Sequence, residues 1–260
     1  MQPWTPITLG RTGLSVGRLG LAAGYGADDR CVSMAFDSGV NYFYWGSLRR
    51  SRFGAALGRL PRDRMVLTIQ SYSRMASLIS WSLERALRAL RMDYADFLLL
   101  GLWNRPVSPS ILDAARALRQ RGLVRHLALS THNRPLASTL SQDGPYDLLH
   151  IRYNAIHRGA ESDIFPHLPP PQTRPGIVAF TATSWRQLLN RSKLPPDERV
   201  PSAADCYRFV LASPAVDVCI AGPKNAAQLQ SALEGLSRGP MDPDEFAWIT
   251  RVGKLKYGKS

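Results

Sequence analysis

The sequence predicts an α/β chain closed into a single (β/α)8 barrel of the TIM type, and three observations carry that prediction. Short apolar runs rich in β-branched residues alternate with amphipathic segments along the whole chain. Eight such runs can be marked, and strands that alternate with helices pair in parallel, so eight units imply closure. Finally, 260 residues are enough for one barrel with a full core and need no second domain.

The elements follow in order. Thr5 to Gly17 reads as a hairpin around Gly10-Arg-Thr-Gly13, placed to cap the barrel bottom. The eight strands fall at Arg18 to Ala22, Val40 to Tyr44, Met65 to Gln70, Phe97 to Leu100, His126 to Ser130, Leu148 to Tyr153, Ile177 to Thr181 and Val218 to Ala221. Helical spacing is clearest over Ser77 to Arg91, where Leu78, Trp81, Leu83, Leu87 and Leu90 sit close to a three-to-four spacing. It returns over Ser110 to Gln120, with Gly122 as a stop. The proline-rich stretch Phe165 to Pro175 and the Lys193 to Pro196 region are too short for linkers and read as stiff loops on the barrel rim. Asp242 to Lys256 carries Phe246, Trp248, Ile249 and Val252 and reads as a final helix outside the barrel. Residues 1–260 therefore form one domain.

Composition narrows the function classes. The net charge of +13 raises polyanion binding, but the basic residues are 28 Arg and 5 Lys scattered over helices, with no basic tract, zinc knuckle or glycine-rich RNA signature. That distribution suits a solvated surface better than a nucleic-acid partner. No run reaches the roughly 18 apolar residues of a membrane span, and the start lacks the pattern of a leader peptide, so no membrane association is expected. Cys31, Cys206 and Cys219 are odd in number and far apart, which points to neither a disulfide framework nor zinc and fits a cytoplasmic protein. No metal site is expected, and the oligomeric state is left open.

Several segments, in order, resemble the aldo-keto reductase superfamily: Leu9 to Leu21 (LGRTGLSVGRLGL), Gly39 to Phe43 (GVNYF), Arg85 to Leu100 (RALRALRMDYADFLLL), Arg121 to Ser130 (RGLVRHLALS), Arg152 to Asn154 (RYN), Gly176 to Thr181 (GIVAFT) and Ile220 to Leu229 (IAGPKNAAQL). The resemblance implies NADP(H)-dependent carbonyl reduction, with a Tyr donating a proton beside an Asp, a Lys and a His at strand ends. In this chain those four positions hold Tyr44 for the Asp, Arg49 for the Tyr, Gln70 for the Lys and Gly101 for the His. A tyrosine donates a proton usefully near neutral pH only when a nearby cation lowers its pKa of roughly 10, and Gln70 brings no charge. Reduction by the family route is therefore expected to be weak or absent, with Tyr44 as the one candidate for a reassigned acid.

The same resemblance implies a nicotinamide cofactor site. Phe180 matches the aromatic that stacks on nicotinamide, and Thr181 lies beside the phosphates. Ser130, Thr131 and His150 fall at the carboxamide, and Arg191 at the pyrophosphate. Gly222, Lys224, Asn225 and Gln228 fall at the adenosine phosphate, where a helix N-terminus favours an anion. Substrate contacts would come from Tyr25, Trp45, Tyr72, Trp103, Asn104 and Arg152 at the C-terminal face of the barrel, where barrels bind small molecules. His150 and Arg152 are two apart and so share a face. Each residue also has an ordinary reading: Phe180 as packing, Lys224 as a surface charge, Gly222 as a turn. Two functions stay open, an oxidoreductase with a reassigned acid and a barrel without turnover that serves as cofactor sensor or interaction scaffold.

Overall fold

The computed structural model describes residues 5–46 and 51–257. Strands β1 (Ile7–Thr8) and β2 (Ser15–Val16) pair antiparallel as the expected hairpin. Eight parallel strands then close a barrel: β3 (Leu19–Ala22), β4 (Tyr42–Trp45), β5 (Val66–Ser71), β6 (Ala95–Leu100), β7 (Val124–Thr131), β8 (Leu148–Arg152), β9 (Gly176–Phe180) and β10 (Val218–Ala221), with β10 returning to β3. The helices are α1 (Asp29–Asp37), α2 (Ser51–Leu57), α3 (Ala76–Leu90), α4 (Pro109–Gln120), α5 (Arg134–Gln142), the single turn α6 (Ala160–Asp163), α7 (Ala203–Ala212), α8 (Ala226–Leu236) and the final α9 (Pro243–Tyr257). Strand and helix ends move by one to two residues from the sequence reading. Among the described residues no helix is long and apolar enough to cross a membrane.

Alternation along each strand divides the core in two. Tyr42, Val66, Phe97, Leu99, Ala128, Leu148, Val178 and Val218 point inward, and Leu9 and Val16 from the hairpin close this cluster from below. The other strand residues pack outward against the helices, as with Ile79, Leu83 and Leu87 of α3. Each such fully buried side chain contributes about 1.5–3 kcal/mol. Helix starts are fixed by side-chain caps: Asp28 accepts from Cys31 N, Asn133 from Leu136 N, and Ser202 with Asp205 forms a reciprocal capping box on α7.

The barrel bottom is tied by a repeated device. On every second barrel strand, an Asn or Asp near the strand start accepts a backbone N–H from the strand before it or from the residues leading into it. Asn41 accepts from Gly17 at 2.9 Å, Asp96 from Leu67 at 2.8 Å, Asp147 from Leu127 at 3.3 Å and Asp217 from Ile177 at 2.7 Å. The carboxylates are matched by arginines: Arg62 and Arg125 on Asp96, Arg11 and Arg119 on Asp147, and Arg174 as a two-pronged fork on Asp217 at 2.7 and 2.9 Å. Much of the arginine-rich composition is therefore structural, and a bidentate guanidinium suits it.

One sequence expectation changes here. The proline-rich stretch does not stay on the rim: its end descends to the bottom, where Arg174 is buried on Asp217 and its carbonyl accepts from Arg11 N at 2.9 Å. The connection from β8 to β9 thus replaces a full barrel helix with α6 and a short 3-10 turn over Phe165–His167.

Asp217→Ala should cost about 3–5 kcal/mol in denaturant unfolding, because it strands the buried Arg174 charge. Arg116→Ala, which breaks an exposed pair, should cost no more than about 1 kcal/mol. For Asp147, burial pushes the carboxyl up, but the His126 and Leu127 contacts and the charges of His126 and Arg11 outweigh it, and its pKa ends below the ordinary 3.8. A carboxylate lowered in the fold stabilises above its ordinary pKa and loses that contribution as pH falls through the lowered value. Asp147→Asn should therefore flatten the acid limb of thermal stability below about pH 4.

Candidate functional site

The site lies at the C-terminal mouth of the barrel, and its floor is built where β4, β5 and β6 end. Tyr44 points inward and its neighbour Trp45 points outward into the helix layer, as alternation requires. The Tyr44 hydroxyl donates a hydrogen bond to Gln70 Oε1. Two glycines make room for this pair. A Cβ on Gly46 would collide with the Tyr44 ring, and one on Gly101 would overlap the Gln70 amide while meeting Tyr72 Cδ1 at 2.9 Å. Tyr44, Gln70 and Gly101 thus form one uncharged group.

Beneath it runs a buried chain of hydrogen bonds. Thr68 Oγ1 donates to the Tyr42 hydroxyl at 2.7 Å, which leaves the Tyr42 proton for His150 Nε2 at 2.8 Å. His150 is only 2% exposed, and burial lowers its pKa to about 3, so it is a neutral imidazole with its proton on Nδ1. Burial raises the Tyr42 pKa far above its usual value.

The loop after β6 forms one wall. Arg74 donates to the carbonyls of Gly101 and Leu102 at 3.0 and 2.9 Å, and its guanidinium lies over the Trp103 ring at 4.0 Å. Leu102 N donates to Ser130 Oγ at 2.8 Å. Asn104 Oδ1 accepts from His132 N at 2.9 Å and from Thr131 Oγ1 at 3.3 Å. The Trp103 indole nitrogen is buried and has no partner among the described residues.

The opposite wall follows β9 and β10. Phe180 meets His132 edge to face, with ring centroids 5.6 Å apart. Directly after it Thr181, Ser184, Trp185 and Arg186 all adopt positive φ, at 58°, 47°, 54° and 68°. Such conformations cost roughly 1–3 kcal/mol each and gather where a loop serves a ligand. Asn154 Nδ2 pins the start of this loop on Thr181 O at 2.8 Å, while Trp185 stands 70% exposed at its tip. After β10, the Tyr25 ring lies against Gly222 so closely that a Cβ there would strike it. Lys224 N donates to Gln228 Oε1 at 2.9 Å, and Gln228 N to Asn225 Oδ1 at 3.0 Å, so the start of α8 caps itself.

The structure therefore gathers the sequence candidates into three groups: Tyr44, Gln70 and Gly101 on the floor, with Tyr72 beside them; Ser130, Thr131, Trp103 and Asn104 in one wall; and Phe180, Thr181, Tyr25, Gly222, Lys224, Asn225 and Gln228 in the other. Three candidates stand apart. His150 lies below the floor, Trp45 outside the barrel, and Arg191 bonds the carbonyls of Pro195 and Pro196 at 3.2 and 2.8 Å in its own loop. Arg49 lies outside the described residues. The sequence reading missed Trp185, His157 and Arg134. The first carries no periodic signal, and the other two, one at the start of α5 and one in the loop after β8, are brought beside Arg152 only by the fold.

Tyr44→Phe should leave the Gln70 carbonyl oxygen without its donor and cost about 1–3 kcal/mol in chemical denaturation. A second outcome concerns pH. His150 binds a proton in the unfolded chain below about 6.5 but not in the fold until about 3, so its contribution to stability is complete above 6.5 and declines as pH falls. His150→Gln should flatten the melting-temperature profile between about pH 6.5 and 4.

No family model matches this chain, and no curated protein matches it. Among solved structures it is similar to the aldo-keto reductase AKR11C1 from Bacillus halodurans. The holo form superposes with a TM-score of 0.78 at 18% identity, covering 96% of this chain and 97% of that one. The apo form superposes with a TM-score of 0.74 at 18% identity, covering 96% of each. At that identity the likeness is one of fold. Over 96% of its length this chain has the aldo-keto reductase fold.

Proposed function

We propose that this barrel binds a nicotinamide cofactor, NADP(H), and a small molecule at its C-terminal mouth, and does not reduce carbonyls by the family's proton relay. The observation that carries the reading is the Tyr44 to Gln70 hydrogen bond, which occupies the floor with neutral groups and fills the space above Gly101. The family relay implies a charged lysine and an imidazole in that space; an amide and a bare Cα supply neither. General acid help is worth about two to four orders of magnitude in rate, so its loss leaves a binding protein in place of an effective reductase. Support for the cofactor comes from Phe180 at the mouth and from the strained loop 181–186 beside it, whose tip residue Trp185 is exposed.

A second reading keeps catalysis, with Tyr44 as the acid. It is favoured by the position of the Tyr44 phenol at the floor of the mouth, where a proton donor would be needed.

Titration with NADPH, followed by fluorescence, should show saturable binding at micromolar concentrations, while NADPH consumption with a broad carbonyl panel stays at the rate of a protein-free control. Absence of saturation would sink the cofactor reading. Consumption that disappears in Tyr44→Phe would replace the binding protein with the reassigned-acid enzyme.

A further inference from the structure

The ends of β7 and β8 and the start of α5 enclose a narrow cavity lined by Thr131, His132, Arg134, Arg152, His157 and Ile164. Its charges do not balance. Arg134 is satisfied by Asp163, and Glu161 nearby is taken by Arg158 and the Tyr153 hydroxyl. Arg152 is half-buried, and among the described residues its guanidinium has neither a hydrogen bond nor an ion pair. The two fully buried arginines meet carboxylates, Arg174 on Asp217 and Arg208 on Glu245. The Arg152 guanidinium nitrogens are not among the buried unpartnered atoms, so they reach solvent and their donors are open to an anionic ligand.

The surroundings define what would fit. His132 and His157 stand beside Arg152, and both are held below their ordinary pKa, first by burial and then by the Arg152 charge. The His157 Nδ1 is turned to Asn154 Oδ1 at 3.2 Å, an oxygen that also accepts the backbone N–H groups of Ile156 and His157. Arg152 is also the register partner of Phe180 on β9, and His132 lies against the Phe180 ring, so one side of this cavity borders the aromatic platform. A planar guanidinium with free donors matches a carboxylate or a phosphate, which it can bind in two places at once.

We propose that this pocket binds the oxyanion group, carboxylate or phosphate, of the small molecule held at the barrel mouth, with Arg152 as its anchor and His132 and His157 at its sides. The assignment rests on the proposed reading that the mouth takes a small-molecule ligand, and it narrows that ligand to an anionic class.

The test is calorimetric titration of the full chain with inorganic phosphate and, separately, with malonate, at constant ionic strength. Wild type, Arg152→Met and Arg152→Lys are compared after thermal unfolding has shown that each folds. Saturable binding of at least one anion is expected, weakened roughly tenfold or more in Arg152→Met and less in Arg152→Lys, as loss of a charge-assisted hydrogen bond implies. Binding of phosphate alone assigns a phosphorylated ligand, and binding of malonate alone a carboxylate. No saturation of wild type by either anion up to roughly 10 mM, or equal affinity in Arg152→Met, overturns the proposal. Anion binding without NADPH binding supports the pocket and sinks only the cofactor reading.

Discussion

The bond from the Tyr44 hydroxyl to the Gln70 carbonyl oxygen is the contact on which the upper half of this barrel depends. A closed eight-strand barrel has a fixed interior, and every inward side chain shares it with the others. Several large groups are admitted where a neighbour gives up its Cβ. Tyr42 is accommodated by Gly20, Tyr44 by Gly46, and Gln70 by Gly101. Three of the positions that the family resemblance marks, Tyr44, Gln70 and Gly101, are thus coupled in space. Once Gln70 lies over Gly101, a side chain at position 101 has no room, and once Tyr44 bonds Gln70, neither position carries the family's charge.

The two ends of the barrel are built from opposite chemistry. At the bottom, Asp96, Asp147 and Asp217 are held by backbone N–H groups and by arginines, so charge is present but fully spent on closing the strands. At the top the floor is neutral, and beside it stand Arg152, His132 and His157 with no carboxylate to match Arg152 among the described residues. This division agrees with the general split between a stabilising N-terminal face and a ligand-binding C-terminal face in such barrels. It also shows why the net charge of +13 misleads at the level of composition. Many of the arginines are internal clamps, and the one of greatest interest is identified by lacking a partner.

How much of this was legible in the sequence follows from what periodicity can report. Apolar runs between helical segments located all eight strands, while Tyr44 and Gln70 were marked by the family resemblance. Alternation with a period of two puts Trp45 on the outer face, so its assignment to the ligand was inconsistent with that of Tyr44. His150 and Arg152 do share a face, as their spacing requires, but spacing says nothing about depth: one lies beneath the floor and the other at the rim. Arg174 was hidden inside a proline-rich run whose composition suggested only a stiff rim loop, because its partner Asp217 is 43 residues away. Gly101 was marked only by its place in the resemblance and Gly46 carried no signal, since the collisions they avoid exist only after closure.

A crystal structure grown with saturating NADP+ tests the central claim most directly. The account predicts the nicotinamide ring against Phe180, with the Tyr44 to Gln70 hydrogen bond intact beneath it and Gly101 still covered by the Gln70 amide. A Tyr44 hydroxyl released from Gln70 and turned towards the reacting carbon of the ring would contradict it, because the floor would then be a movable acid and not a fixed neutral surface.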